Sequence, residues 1–154
     1  MNTEVTRIQQ LLKNSWDGFM WHGNNLKEAL KGVDAETAFR KPAAGSHNIY
    51  ELVMHMYCWR NFVYEHSAGN ADYKVELNSI ADWPVEYERT EASWNNALQL
   101  LEKSQNGLVE AVSKINDEQL NESMHGRKFT WYDFLHGVIE HDIYHSGQIT
   151  ILKK

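Results

Sequence analysis

Apolar residues recur along this chain at the three- and four-residue spacing of amphipathic helices, and nowhere alternate convincingly as in a strand. The pattern predicts four long helices. The first covers about Thr3 to Lys31: Ile8, Leu12, Phe19, Leu26 and Leu30 share a stripe, Gly23 allows close approach midway, and Gly32 is the stop. The second runs from about Ile49 to His66, with Leu52, His55, Met56, Trp59 and Val63 on one face. Asn48 and Glu51 stand at capping-box spacing before it. Thr90 caps a third helix that begins at Glu91 and carries Leu98, Leu101, Leu108, Val112 and Ile115. Thr130 and Asp133 open the fourth, which places Phe134, Leu135, Val138, His141, His145, Ile149 and Leu152 near one face. A helical turn is expected around Glu118 to Leu120, and a short helix or a strand near Tyr73 to Leu77 is open within the connection 67–89.

Four such helices point to an all-α four-helix bundle in one domain, residues 1–154. The connection between helices 2 and 3 is far longer than a helix hairpin needs. A loop of about 23 residues can retrace a helix of about 27 Å, so these helices can run parallel through a crossover. The order would be up-down-down-up, with helices 2 and 4 antiparallel.

Composition narrows the function. The net charge is −6, with 15 Lys and Arg against 21 Asp and Glu, which argues against a nucleic-acid footprint. The polar start MNTEVTRIQQ has no signal-peptide core, and no run is apolar enough to span a bilayer. One cysteine, Cys58, excludes an intramolecular disulfide and suits a reducing, cytoplasmic setting. The unusual feature is the aromatic and histidine content: six Trp, seven Tyr and eight His.

Two of those histidines, His141 and His145, are four residues apart on an apolar helix stripe, where Val138 and Ile149 cannot satisfy ring nitrogens. Two imidazoles so placed can reach one metal ion at ~2.0–2.1 Å. His55, on the core stripe of helix 2, is the candidate third ligand. It lies seven residues after Asn48, as His145 lies seven before Leu152; His66 follows His55 by eleven, as Thr130 precedes His141 by eleven. Antiparallel helices 2 and 4 would bring all three to one depth. Three ligands leave a coordination position open, as at a catalytic ion, and imidazoles suit zinc, nickel, copper or iron(II) without choosing among them. The alternative is three core histidines bonded to neighbours such as Glu51, Tyr57, Glu140 or Tyr144.

The segments GSHNIYELVMHMYCWRNF, LHGVIEHDIYHSGQITILKK and WDGFMWHGNNLKEAL resemble the DinB/YfiT-like family of metalloenzymes, over nearly the whole chain and most specifically in its last twenty residues. The resemblance implies the up-down-down-up bundle, a homodimer, and a divalent metal held by His55, His141 and His145. It also implies activity on small molecules. Members include S-transferases that use a low-molecular-weight thiol such as bacillithiol or mycothiol, and a related isomerase. An ordinary thiol has a pKa near ~8.5, and a divalent cation deprotonates it. Such a site could therefore direct a thiol at an electrophile with no protein nucleophile. A hydrolase or isomerase acting through an activated water, and a non-catalytic metal-binding protein, are the other readings.

Further residues are candidates for the surroundings of that site. Glu51 could accept the second N–H of His55 or serve only as a helix cap. His22 could reach the pocket from helix 1, His47 could line its entrance, and Gln148 could orient a ligand. His136 points about 140° from His141 and suits a helix contact. Cys58 reads as a buried, inert thiol. Arg127 and Lys128 could attract an anionic thiol, or be ordinary solvated charges.

Overall fold

The computed structural model describes residues 3–43, 45–124 and 127–154. Their regular structure is helical apart from a β-bridge between Ser123 and Thr130. The elements are α1 (Thr3–Asp17), α2 (Leu26–Leu30), α3 (Ala35–Phe39), α4 (Ile49–Ser67), α5 (Glu91–Val112), a 3₁₀ turn (Gln119–Asn121) and α6 (Trp131–Leu152). No helix among the described residues is long and apolar enough to cross a membrane.

Helix starts follow side-chain capping closely. Asn48 with Glu51 and Thr130 with Asp133 form reciprocal capping boxes, and Thr90 accepts from the Ser93 N–H. The start of α1 is capped from a distance: the Asp117 carboxylate accepts from the backbone N–H groups of Thr3 and Val5 at 2.9 and 3.0 Å. The expected first helix is the main departure. It ends at Asp17, and Leu26 and Leu30 belong to a separate short helix with its own Asn25–Glu28 capping box. Asn25 also donates to the Gly18 carbonyl at 2.9 Å, closing the intervening turn. Gly23 has φ +146°, unavailable to an α-helix, and Phe19 is 83% exposed instead of sharing the core stripe. Gly32, at φ +79°, ends α2. The connection 68–89 contains neither the helix nor the strand left open for Tyr73 to Leu77; it is a series of turns.

Two buried clusters lie along the long helices. One joins Trp16, Leu52, Met56, Trp94, Leu101 and Ile149; the other joins Ile8, Phe62, Val63, Leu108, Val112 and Leu135. The beginning of α4 therefore packs with the beginning of α5, and the end of each with the end of the other. Between α4 and α6 the order reverses: His55 meets His145, Arg60 meets Asp142, and Phe62 meets Phe134. This register brings the histidines together.

Candidate metal centre

The Nε2 atom of His141 lies 2.9 Å from Nε2 of His55 and 3.1 Å from Nε2 of His145. His55 and His145 are buried and His141 is half-buried. Donor atoms of all three fall within 4.8 Å of one another, so the cluster can hold a metal ion.

The outer nitrogens fix how two of these rings are protonated. His55 Nδ1 is 2.8 Å from Asp82 Oδ1 and 3.1 Å from the Asp82 carbonyl, both acceptors. His145 Nδ1 is 2.6 Å from Gln148 Oε1, and the Gln148 amide nitrogen donates to the Tyr144 hydroxyl at 3.3 Å. In neutral imidazoles, Nδ1 then carries the hydrogen and Nε2 turns a lone pair inward. His141 completes the cluster but cannot satisfy it. A hydrogen on its Nε2 can serve one inward lone pair at a time, and its Nδ1 is buried with no hydrogen-bond partner among the described residues. Three converging donors with one hydrogen among them fit a cation, since ligating histidines characteristically anchor the other ring nitrogen to a carboxylate or carbonyl. Two nitrogens on one tetrahedral ion at ~2.0–2.1 Å stand roughly 3.3–3.4 Å apart, a few tenths of an ångström wider than the spacing in this structure.

Burial also keeps the rings neutral. It pushes His141 down to about 3, helped by its two histidine neighbours, and His145 down to about 4. His55 is lowered as well, first by burial, against the opposing pull of Asp82. In the unfolded chain His141 and His145 take up protons below pH ~6.5, while in the folded protein they do so only near their lowered values. Their contribution to stability is therefore complete above pH ~6.5 and is lost as pH falls from there to the folded values, at up to ~1.4 kcal/mol per pH unit for each group. The metal-free protein should show a melting temperature that falls steadily from pH 6.5 to 4, with a shallower fall in His145→Ala. Equal slopes in the two proteins would contradict this assignment.

Asp82 was not legible as a site residue. It lies in the irregular connection, is 2% exposed, and is held by the Trp59 indole N–H at 2.9 Å and the Asn78 backbone N–H at 2.8 Å. Asn78 sits in the left-handed region at φ 61°, a conformation asparagine tolerates. Beside Asp82, Trp83 stacks on His55 at 3.7 Å between ring centroids and on His47 at 3.6 Å, making a three-ring pile over the cluster. The long connection thus supplies one wall of the centre.

Glu51 does not bond His55. It caps α4 and accepts from Lys41, Tyr87 and His47 at 2.7, 2.6 and 3.2 Å. Burial pushes this carboxyl up, but the Lys41, Tyr87 and Asn48 donors outweigh it and leave it below its ordinary value. Asp82→Ala should therefore weaken zinc binding ~10–100-fold, the usual cost of losing such an orienting partner, whereas Glu51→Gln should leave it nearly unchanged. Competition against a chelating indicator measures both; equal losses would contradict the distinction.

His47 lines a cavity of about 480 Å³ that reaches Trp83, His145 and Gln148. His22 lies in the exposed turn after α1, edge-on to Trp21, and has no ring or hydrogen-bond contact with the three histidines. His136 packs against Tyr132 with ring centroids 4.3 Å apart. Cys58 is buried, which pushes its thiol up to about 11 and makes it a poor nucleophile. Arg127 lies over the Phe62 ring at 5.5 Å, and Lys128 is exposed.

Among the described residues the fold is helical, and two long helices share a histidine triad that could hold a metal ion. The DinB superfamily model matches residues 19–149, and the chain belongs to that superfamily. Neither a curated protein nor a solved structure matches it.

Proposed function

We propose that this protein is a divalent-metal-dependent enzyme acting on small molecules, and that it transfers a low-molecular-weight thiol to an electrophile. His55, His141 and His145 are its ligands, and α1, α4, α5 and α6 form an up-down-down-up bundle with the connection 68–89 as crossover. The observation that carries the reading is the convergence of three Nε2 atoms, two of them with lone pairs directed inward by Asp82 and Gln148. Membership of the DinB superfamily supports it.

A bound divalent ion would supply the acidity that turns a thiol into a thiolate at neutral pH. The chain's own residues do the rest. Asp82 and Gln148 hold His55 and His145 in one tautomer. Trp83 stacks on the His55 ring and Trp59 stands edge-on to it, so both flank the cluster. Cys58 is too high in pKa to compete as nucleophile. A homodimer in a reducing cytoplasm, where free thiols persist, belongs to the same proposal.

The test is consumption of a chlorinated aromatic electrophile by the zinc- or nickel-loaded protein, with and without thiol. Loss that requires both metal and thiol is expected. Metal-dependent turnover without thiol would replace the transferase reading with a hydrolase or isomerase. Absence of turnover across a panel of thiols and electrophiles, with metal fully bound, would leave a metal-binding protein.

A further inference from the structure

A groove of about 570 Å³, not lined by His47, follows the first half of α6 and reaches His141. Its lining differs from that of the smaller cavity at His145. Trp59, Phe129, Tyr132 and Phe134 give it four aromatic rings. The charged side chains that line it, Asp133 and Glu140, are both acidic and exposed. Asp133 is committed to the α6 cap through Thr130 at 2.8 Å. Among the described residues no lysine or arginine lines the groove, and Arg127 sits over Phe62 without lining it.

The groove is also kept open by a residue the backbone does not require. Gly137 is in the interior of α6, where glycine is destabilising relative to alanine. It is not among the residues with positive φ, and a Cβ built on it would meet nothing within 4 Å. Gly107, by contrast, faces the Tyr64 ring at 3.2 Å, where a side chain would be crowded. Gly147 has the same freedom as Gly137 but lies on the exposed surface, so the missing side chain matters at Gly137 because that residue lines the groove.

We propose that this groove binds a planar aromatic small molecule, uncharged or positively charged, and discriminates against aromatic anions. Aromatic walls favour a flat apolar ligand and attract cations through their ring faces, while in the metal-free protein the acidic rim repels carboxylates and phosphates. Because the groove reaches His141, it would select the electrophile presented to the metal; that role rests on the enzymatic reading, whereas the binding preference does not.

Three probes of similar size test it at pH 8: phenethylammonium, 3-phenylpropanamide and 3-phenylpropionate, titrated by ligand-observed NMR into the metal-free protein, because a divalent ion beside His141 would itself attract the carboxylate. The cation and the amide should bind saturably, and the anion at least tenfold more weakly. Gly137→Leu should abolish binding of the first two while zinc stoichiometry stays at the wild-type value. Glu140→Lys, at an exposed position, should narrow or invert the preference between cation and anion, and it keeps the test decisive if the leucine variant fails to fold. No saturable binding, equal binding to folded Gly137→Leu, or an anion as tight as the cation would overturn the proposal. Probe binding that persists in a protein unable to hold zinc would support the groove and refute the metal centre instead.

Discussion

Asp142→Asn is expected to lower the melting temperature by about 6–20 °C, the largest stability effect of any single substitution near the site. Asp142 and Arg60 are both completely inaccessible, and the Asp142 carboxylate accepts from Arg60 Nε at 2.9 Å and from Nη2 at 2.7 Å. Burial pushes the Asp142 carboxyl up from its ordinary value, and Arg60 pulls it back down. The guanidinium also lies over the Trp16 ring at 5.1 Å, so one charge pair ties α1, α4 and α6 together. Asparagine keeps the shape but leaves the guanidinium's charge without compensation, which typically costs roughly 3–5 kcal/mol. A chain of this size loses ~2–4 °C per kcal/mol, which sets the expected fall. Replacing both partners, as Arg60→Met with Asp142→Leu, should recover most of the loss, because removing a buried pair altogether is far less costly than removing half of it. Thermal melts of the single and double variants measure this, and a single variant that melts within 2 °C of wild type would contradict it.

His145→Ala should reduce bound zinc from one equivalent per chain to less than half. With three imidazoles sharing the ion, the variant leaves two, one of which, His141, has no outer partner among the described residues to orient it. The same variant should lose the metal-induced gain in stability. A ligand that binds only the folded state at about a thousand times its dissociation constant adds roughly 4 kcal/mol, or about 8–16 °C for a chain of this length. His136→Ala is the contrast: it removes an imidazole from the same helix, one that packs on Tyr132 and joins no ligand cluster among the described residues, and it should keep both zinc and the stability gain. Metal analysis with parallel melts separates these outcomes. Full zinc occupancy in His145→Ala would remove that residue from the ligand set.

Much of this arrangement could be read from the chain because it is periodic. The capping residues Asn48, Thr90 and Thr130 mark the starts of three long helices, and the stripes that follow carry His55, His141 and His145 to the inward faces of α4 and α6. The first helix misled for the same reason. Leu26 and Leu30 happen to continue the stripe of Ile8 and Leu12, although the Asn25–Glu28 capping box already marks a new start and Gly23 a turn. A local cap won over a long-range coincidence of spacing. Asp82 and Trp83 left no such signal. Irregular backbone has no period, and the contact of Asp82 with His55 spans 27 residues. What could be inferred was only the need: a histidine committed inward requires an acceptor for its outer nitrogen, and Glu51 seemed to offer one a turn away. The structure gives Glu51 to Lys41, Tyr87 and the α4 cap.

If His55, His141 and His145 hold one cation through their Nε2 atoms, anomalous scattering from crystals of the zinc-loaded protein will locate it. One strong peak per chain is expected inside the triad, ~2.0–2.1 Å from all three Nε2 atoms, with the Nδ1 atoms of His55 and His145 still bonded to Asp82 and Gln148. Fully loaded crystals with the peak elsewhere, or with the three rings bonded only to one another, would rule out the shared ion.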